Sequence, residues 1–546
     1  MSDDRVKEII AYHNRTKHGF NRLAASAGYL DWENQPLPFR FYEDAPRFSL
    51  PLDTPDPDEH HLALYRRSSK ASDFNTVSLA KFLELSLGLS AWKELSGDRW
   101  SLRMNPSSGN LHPTECHLIL PTTENLNSGL YHYDSFGHAL ECRAALTADS
   151  GAILRDHFGA DGFLTGLSNI FWREAWKYGE RAYRYCNHDT GHALASLSFS
   201  AALLGWKVTC LSSAGQSEVA SVLGLDRTEY PRYEEEWAER LCFVATSACP
   251  ERTAVTMPVA LTEKLKKATF TGTPNKLSHE HREWSVIHNV AEMATRPSIE
   301  LPTEPPQPAY GTNNLLETST SPLKAADIIR KRRSAWEFSR EQSVTERSEI
   351  LCMLDRTLPR ADMAPFDIGL GPVRVQLVLF VHNVSGLKQG LYAFLRDDSM
   401  REELTGCLSD DFAWEQADSS YPLYLLREGD FRSQAIALSC NQQIAGSGAF
   451  SVAMVARFSD SLQDSPWVYP QLFQECGQLG QALYLEAEAH GLRGTGIGCY
   501  FDNPVHELLG LEDNRWQSMY HFTVGVPIED ERLKTYPPYF HLKRGS

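Results

Sequence analysis

The sequence predicts an α+β fold that is built twice within one chain. Three observations carry this expectation. Helical and strand-like patterns alternate without strict strand–helix–strand units, which argues against a doubly wound parallel sheet. At 546 residues the chain exceeds what one hydrophobic core usually holds. Four segments of the first half then return, in the same order, in the second. LALYRRSSKASDF is mirrored by DIIRKRRSAWEF, GLYHY by GLYAF, SVLGLDR by ELLGLED and FVATSA by FTVGVP, each roughly 260 to 290 residues later, which is the pattern of a fused duplication.

Composition removes several classes of function. A net charge of −17 with no long basic run makes a nucleic-acid backbone an unsuitable partner. The opening residues, MSDDRVKEIIAYHNRTKH, lack the continuous apolar region of a signal peptide, and no apolar stretch is long enough to span a bilayer. Eleven scattered cysteines without a CxxC pair fit reduced thiols better than disulfides or a zinc site. The expectation is a cytoplasmic, globular protein without a metal centre.

Taken in order, residues 1–55 read as an N-terminal extension. It begins as an amphipathic helix with Val6, Ile9, Ile10 and Tyr12 apolar, then runs extended through LDWENQPLPFRFYEDAPRFSLPL over a larger body. Residues 56–255 form the first domain. It contains a helical piece ending in YRRSSKASDF, a helix VSLAKFLELSLGLSAW, a turn-rich loop, the strand CHLILP, GLYHYDS, a long helical passage from Trp172 to Leu204, a helix SEVASVLGL and the strand RLCFVAT. Residues 256–322 read as a connector, with helical periodicity in EHREWSVIHNVAEMAT followed by a proline-rich surface linker. Residues 323–546 form the second domain.

Two passages concentrate chemistry. The loop Arg103–Glu115, RMNPSSGNLHPTE, offers hydroxyls, an amide and backbone N–H groups to a flat polar ligand, although PSSGN alone is also an ordinary tight turn. Its companion is WKYGERAYRYCNHDTGHAL from Trp176. There Tyr178, Ala182 and Tyr185 recur at helical spacing, so the motif alone reads equally as an interface stripe. The glycines between Gly494 and Gly498 permit close backbone approach, yet a glycine-rich helix-to-strand connection needs no ligand. His188 and His192 have metal-ligand spacing without a third ligand, which favours a structural role, and His112 lies inside the loop motif.

Taken together, RRS in both halves, R-x-x-P-S-S-G-N-x-H-P-x-E from Arg103, KYGERAYRY followed by GHAL, and GLRGTGIGCYFDNPVHELLGL ending in VGVPIEDERLKTYPPY resemble the FMN-dependent nitroreductase superfamily in tandem form. The first half is similar to its SagB/ThcOx branch, the azoline dehydrogenases. The resemblance implies two fused nitroreductase-like domains forming an intrachain pseudo-dimer, with FMN held between them. From the second domain it implies Arg332, Ser334, the amides of Gly498 and Cys499, Arg532 and Lys534 as flavin contacts; from the first, Pro106, Ser107, Ser108 and Asn110. Guanidinium groups suit the dianionic phosphate through charge-assisted, bidentate hydrogen bonds. Trp336 stands where the family usually has a third basic residue, and the Cys499 thiol has no assigned role. The converse site keeps Arg66, Ser68 and Lys70 but lacks the glycine loop, and DMAPFDIGLGPVRVQLVLFV replaces the PSSGN loop. One working flavin per chain and one vestigial site are therefore expected.

The resemblance further implies a reaction. Two hydrogens leave a thiazoline or oxazoline in a modified peptide: a base takes the ring proton, hydride passes to flavin N5, and oxygen reoxidises the flavin. Lys177 and Tyr178 match the branch's proton-handling pair. A lysine serves as a base only where burial or a neighbouring cation lowers its pKa, and Arg181 and Arg184 are expected on the same helix to do so. Implied partners are a small-molecule or modified-peptide substrate and the partner enzymes of a biosynthetic complex. Two other readings remain open at this stage: an NAD(P)H-dependent nitro or quinone reductase, and a flavin-free module that binds a leader peptide or partner enzyme.

Overall fold

The computed structural model describes residues 2–68, 70–248, 255–299, 321–360 and 362–542. Strand sequences such as VQLVLFV and FSVAMVAR are apolar on both faces and buried along nearly their whole length, so each sheet must be covered on both sides. In chain order the first half contributes helix α1 (Ser2–Arg15), strand β1 (Arg47–Ser49), helix α2 (Thr76–Leu87), the hairpin β2 (Leu89–Leu95) and β3 (Asp98–Arg103), then β4 (Thr114–Leu120), β5 (Gly129–Asp134), β6 (Ala139–Ala145) and β7 (Gly162–Ile170). Helices α3 (Phe171–Tyr178) and α4 (Ala182–Leu203) follow, with β8 (Lys207–Cys210) and β9 (Glu236–Ala245). The second half contributes α5 (Ala325–Lys331), β10 (Val375–Val381), β11 (Gly390–Phe394), β12 (Glu415–Gln416), β13 (Leu423–Glu428), β14 (Phe450–Arg457), α6 (Val468–Ala489), β15 (Arg493–Ile497), α7 (Asp502–Leu509), β16 (Trp516–Gly525) and β17 (Lys534–Tyr536).

The two seven-stranded antiparallel sheets run β1-β6-β5-β4-β7-β9-β8 and β12-β13-β11-β10-β14-β16-β15. Position by position they correspond, and the repeated segments fall on equivalent strands: GLYHY on β5 and GLYAF on β11, each third in its sheet. The duplication is structural, and the expected α+β architecture of two fused, similar halves is what the chain adopts. A third sheet, β17-β2-β3, joins the end of the second half to the first.

The halves meet where α4 crosses α6. Both helices have 22 residues, and Gly191 and Gly477 are each the tenth of their helix. A Cβ on Gly191 would overlap the Gln474 carbonyl, and one on Gly477 would overlap the His188 carbonyl, so the two backbones are in direct contact. Every residue of α4 is buried, which forces its polar side chains to find partners inside the protein.

Two elements differ from the sequence reading. The helix read through VSLAKFLELSLGLSAW starts with an Asn75–Ser78 capping box but ends at Leu87, where Gly88 turns to extended backbone with ψ 173°, a position at which a Cβ would meet the Glu84 carbonyl at 2.7 Å; LSAW then opens β2. The passage from Trp172 to Leu204 is broken at Gly179, whose φ of 54° and ψ of −131° no helix accommodates. Residues 255–299 of the connector are packed against the first half. They form helices Val259–Lys267 and Ser285–Met293, pair Pro274 with Tyr42, and place the Leu277 and Ser278 N–H groups on the Glu234 carboxylate. The proline-rich stretch 300–320 lies outside the described residues. Among the described residues no helix is long and apolar enough to cross a membrane.

Gly191→Ala is expected to lower unfolding stability in a denaturant titration by about 1–3 kcal/mol, the usual cost of overpacking. Gly19→Ala, where a Cβ meets nothing, should stay within about 0.5 kcal/mol of the parent. Equal stability of all three proteins would contradict the close crossing.

Candidate active site

The loop between β3 and β4 is set by local hydrogen bonds. Ser107 Oγ accepts from the His112 N–H at 2.8 Å, while Asn110 donates to the Ser101 carbonyl at 2.9 Å and pairs through Oδ1 with His112 Nε2 at 2.9 Å. Asn110 and His112 adopt left-handed backbone, a conformation that Asn and His tolerate better than most residues. Pro106 is buried beneath the loop, and Ser108 donates to Asp189 of α4 from its N–H at 3.1 Å and from its hydroxyl at 3.2 Å. Lys177 and Tyr178, the last two residues of α3, lie against this loop. A side chain at Gly109 would meet the Tyr178 hydroxyl at 2.6 Å and Lys177 Nζ at 3.2 Å.

The second half approaches the same place. Arg332, just past α5, is buried and donates to the carbonyls of Met104 at 3.1 Å and Arg103 at 2.9 Å, directly before the loop. Its neighbour Arg333 spends its guanidinium on the carbonyls of Arg330, Arg332 and Ser90. Neither arginine has a carboxylate within ion-pair distance among the described residues. Burial lowers the pKa of both, that of Arg333 to about 9 with Arg332 crowding it. Ser334 shares a hydrogen bond with the Tyr484 hydroxyl at 2.8 Å, and that hydroxyl also accepts from the Gly496 N–H at 2.8 Å.

The glycine run is not a free loop. Gly494 to Ile497 lie on β15, an edge strand of the second sheet, and the turn begins at Gly498. A Cβ at Gly498 would drive into the Tyr185 ring, and the Gly498 carbonyl accepts from Tyr185 at 3.2 Å and Arg181 at 3.3 Å. Tyr185 in turn stands 4.5 Å from the Tyr178 ring. The half-buried N–H groups of Gly498 and Cys499 meet no acceptor among the described residues. Thus the structure brings together Ser107, Ser108, Asn110, Lys177 and Tyr178 from the first half with Arg332, Ser334, Gly498 and Cys499 from the second.

It does not bring in Arg532 and Lys534 in the same way. Arg532 is 77% exposed and paired with Asp530, and Lys534 points from β17 to Glu94 at 3.3 Å. Trp336 is 95% exposed. The supporting role expected of Arg181 and Arg184 also fails. The break at Gly179 puts them beyond α3, and both are neutralised by Asp502, at 2.9 and 2.8 Å.

Asp502 is the hub of this corner. Besides the two arginines it accepts from the His18 N–H at 2.8 Å, and the N-terminal segment continues across the break, with the Ala25 carbonyl accepting from the Glu180 N–H at 3.0 Å. Arg181 and Arg184 reach the Thr16 and His13 carbonyls as well. The extension is therefore a strap over the turn that follows Lys177 and Tyr178. Burial opposes the charge of Asp502, but Arg181, Arg184 and the His18 N–H outweigh it and hold the carboxyl well below the usual range.

Several residues escaped the sequence reading. The thiols of Cys440 and Cys499 lie against each other with His18 beside them, and donation from Cys440 and His18 lowers the Cys499 pKa. Glu174 and Asp189 are both buried beneath the loop. Tyr484 links Ser334 to Gly496. Nothing in spacing announces these contacts, apart from Glu174 standing one helical turn before Lys177 and Tyr178. His188 and His192 serve the helix crossing: their Nε2 atoms pair with the Met519 carbonyl at 3.0 Å and the Tyr520 hydroxyl at 3.2 Å.

The converse position is filled differently. Arg67 faces Asp367 at 3.6 Å, and Ser198 donates to the same carboxylate at 2.5 Å. Ile368 and Leu370, from the segment that replaces PSSGN, pack into the core with Trp206. Ser68 donates to Glu59 at 2.7 Å.

The nitroreductase family model matches residues 63–233 and 329–526, more than half of the chain. The chain belongs to the nitroreductase family. As a tandem nitroreductase-family protein it carries an oxidoreductase fold whose relatives generally bind FMN. A crystal structure of an Anabaena variabilis protein assigned as a nitroreductase superposes over 95% of this chain and 99% of that one, with a TM-score of 0.67 at 22% identity. The Escherichia coli microcin synthetase McbBCD complex with bound truncated pro-MccB17 contains a chain matching at 20% identity, covering 45% of this chain and 94% of that one, with a TM-score of 0.26. The Vibrio harveyi NADPH:FMN oxidoreductase complexed with NAD+ matches at 16% identity over 38% and 69%, with a TM-score of 0.22. No curated protein sequence matches.

Asp502→Asn should leave two buried guanidiniums under-compensated and cost about 3–5 kcal/mol. Because the folded pKa is depressed, the stability Asp502 contributes is complete above the unfolded value of about 4 and is lost as pH falls below it. The variant should accordingly show lower stability near neutral pH, a flatter decline on acidification and faster proteolysis within residues 16–30; an unchanged melting profile would exclude the hub.

Proposed function

We propose that this chain is an FMN-dependent dehydrogenase with one composite flavin site, acting on a peptide-derived thiazoline, oxazoline or similar ring in natural-product biosynthesis, as the SagB/ThcOx-type motifs suggest. The observation that carries the reading is the placement of Lys177 and Tyr178 against the PSSGN loop, with the Tyr178 ring joined through Tyr185 to Gly498, beside the unengaged Gly498 and Cys499 amides.

The residues present fit the cofactor. Arg332, buried, and Arg333, half-buried, are cations without a carboxylate partner among the described residues, which suits a phosphate. A backbone that a Cβ at Gly498 would block, with two free N–H donors, suits the edge of a flat ring. Pro106, Ser107, Ser108 and Asn110 would line the opposite side. At the converse position Asp367 already neutralises an arginine and apolar side chains fill the space, which supports a single flavin per chain. Arg532 and Lys534 would act only from the rim.

Bound FMN would supply a two-electron oxidant. The chain's own contribution is proton handling and exclusion of water. Burial and the nearby Glu174 carboxyl raise the Tyr178 pKa well above its ordinary value, so its hydroxyl stays protonated and donates. With Arg181 and Arg184 committed to Asp502, Lys177 is assigned the ring proton from its position against the loop, and the strap closes the turn behind it.

Denaturing the purified protein should release a single FMN per chain, lost in Arg332→Ala and kept in Arg66→Ala. Lys177→Ala should retain FMN yet lower azoline oxidation about 100-fold or more, with Tyr178→Phe also impaired. Two flavins per chain would refute the single site; full azoline oxidation by Lys177→Ala would refute the assignment of the base. Rapid reduction of the bound flavin by NADPH without azoline oxidation would replace the dehydrogenase reading with a reductase.

A further inference from the structure

Beneath the PSSGN loop lie two buried carboxyl groups, one of which makes no hydrogen bond among the described residues. Glu174, on α3, is 0% exposed, and neither of its oxygens makes a hydrogen bond of good geometry. Asp189, on α4, is 2% exposed and faces it. The Ser107 hydroxyl lies beside both, already accepts from the His112 N–H, and has one proton to donate to two carboxyls. Ser108 satisfies Asp189 from its N–H and hydroxyl, whereas Glu174 is left without a strong donor.

Two like charges buried beneath one loop, with a single serine hydroxyl between them, disfavour each other's ionised form. The charged groups around them do not change that conclusion. Arg173, next to Glu174 on α3, is committed to Glu115 at 2.5 Å and to the His112 carbonyl at 2.6 Å. Arg181 and Arg184 are committed to Asp502. The groups left facing the pair are Lys177 and Tyr178 on the same helix, one turn on, and the Cys186 thiol of α4. Burial raises Asp189 to about 7 and pushes Glu174 well above the carboxylate range.

We propose that Glu174 and Asp189 form a carboxyl pair that holds one proton at neutral pH and exchanges it with Lys177. Glu174 is thus a positioning residue for the proton rather than a group that touches substrate. When the Lys177 amine takes a proton from the substrate carbon, the N–H bond formed leaves an ammonium beside the singly charged pair. Transfer of that proton from the Lys177 nitrogen to the carboxylate of the pair breaks one N–H bond, forms one O–H bond and leaves two neutral acids beneath the loop. The proton then returns through Lys177, which is half-buried, to solvent. No oxidant or reductant enters this exchange. The role of Lys177 as base rests on the function proposed above; the shared proton does not.

Infrared difference spectroscopy on the full chain carrying FMN tests the pair without turnover. A protonated-carboxyl C=O band is expected in the parent protein at pH 7, to bleach as pH rises above neutrality, and to weaken in Glu174→Gln, which leaves Asp189 alone with only its burial to hold the proton. Glu239, another buried acid raised to about 7, absorbs in the same region, so Glu239→Gln identifies its share. The absence of any pH-dependent band in the parent, or a band unchanged by Glu174→Gln, overturns the shared proton. The pH titration of the parent needs no variant, so a misfolded Glu174→Gln leaves the test standing. For the exchange itself, Glu174→Gln should lower kcat on the order of tenfold, shift the pH profile and leave KM unchanged, with Glu174→Asp partly restoring it. A band present with an unaltered pH profile would retain the pair and overturn its exchange with Lys177. If the protein oxidises no azoline at all, the infrared result still decides the pair, while the functional reading fails separately.

Discussion

The direct contact of α4 and α6 at Gly191 and Gly477 is the constraint on which the rest depends. Only a pair of glycines lets two buried helices meet backbone to backbone, and only that approach brings the first-half loop within reach of second-half side chains. The bond from Arg332 to the Met104 carbonyl spans 228 residues of sequence, and the bond from Arg181 to Asp502 spans 321. Because each glycine is the tenth residue of its helix, the crossing has the symmetry expected of a duplicated unit.

What the duplication did not preserve is charge pairing. On the side with PSSGN, the RRS arginines find only carbonyl oxygens. On the other side Asp367 supplies a carboxylate and aliphatic side chains occupy the space. A buried cation without a counter-ion is unstable unless something anionic visits, whereas a paired one needs nothing. The same scaffold therefore offers one place suited to an anionic cofactor and one that is already complete.

The N-terminal segment adds a layer that a simple pair of domains lacks. It buries Val6, Ile9 and Tyr12 against the body, and its backbone carbonyls receive Arg181 and Arg184 while Asp502 takes its His18 N–H. The strap and the second-half turn are thus fastened to the same two arginines. It leaves Phe20, Leu23 and Trp32 exposed; Phe20 rests on Phe501 and Trp32 on Trp176, directly before Lys177.

The sequence by itself determined the α+β class, the doubled architecture and strands such as CHLILP, GLYHY and RLCFVAT. These were legible because strand periodicity, turn chemistry and repetition are properties of neighbouring residues. Tertiary structure alone decided where Arg181 and Arg184 send their charge, that the α3 passage breaks at Gly179, that residues 255–299 pack, that Gly494 to Ile497 form an edge strand, and that Arg532 and Lys534 stay at the rim. It alone showed Glu174 buried without a partner. The reason is physical: whether a charge is paired, and whether a side chain reaches water, depends on atoms that sequence places hundreds of residues away.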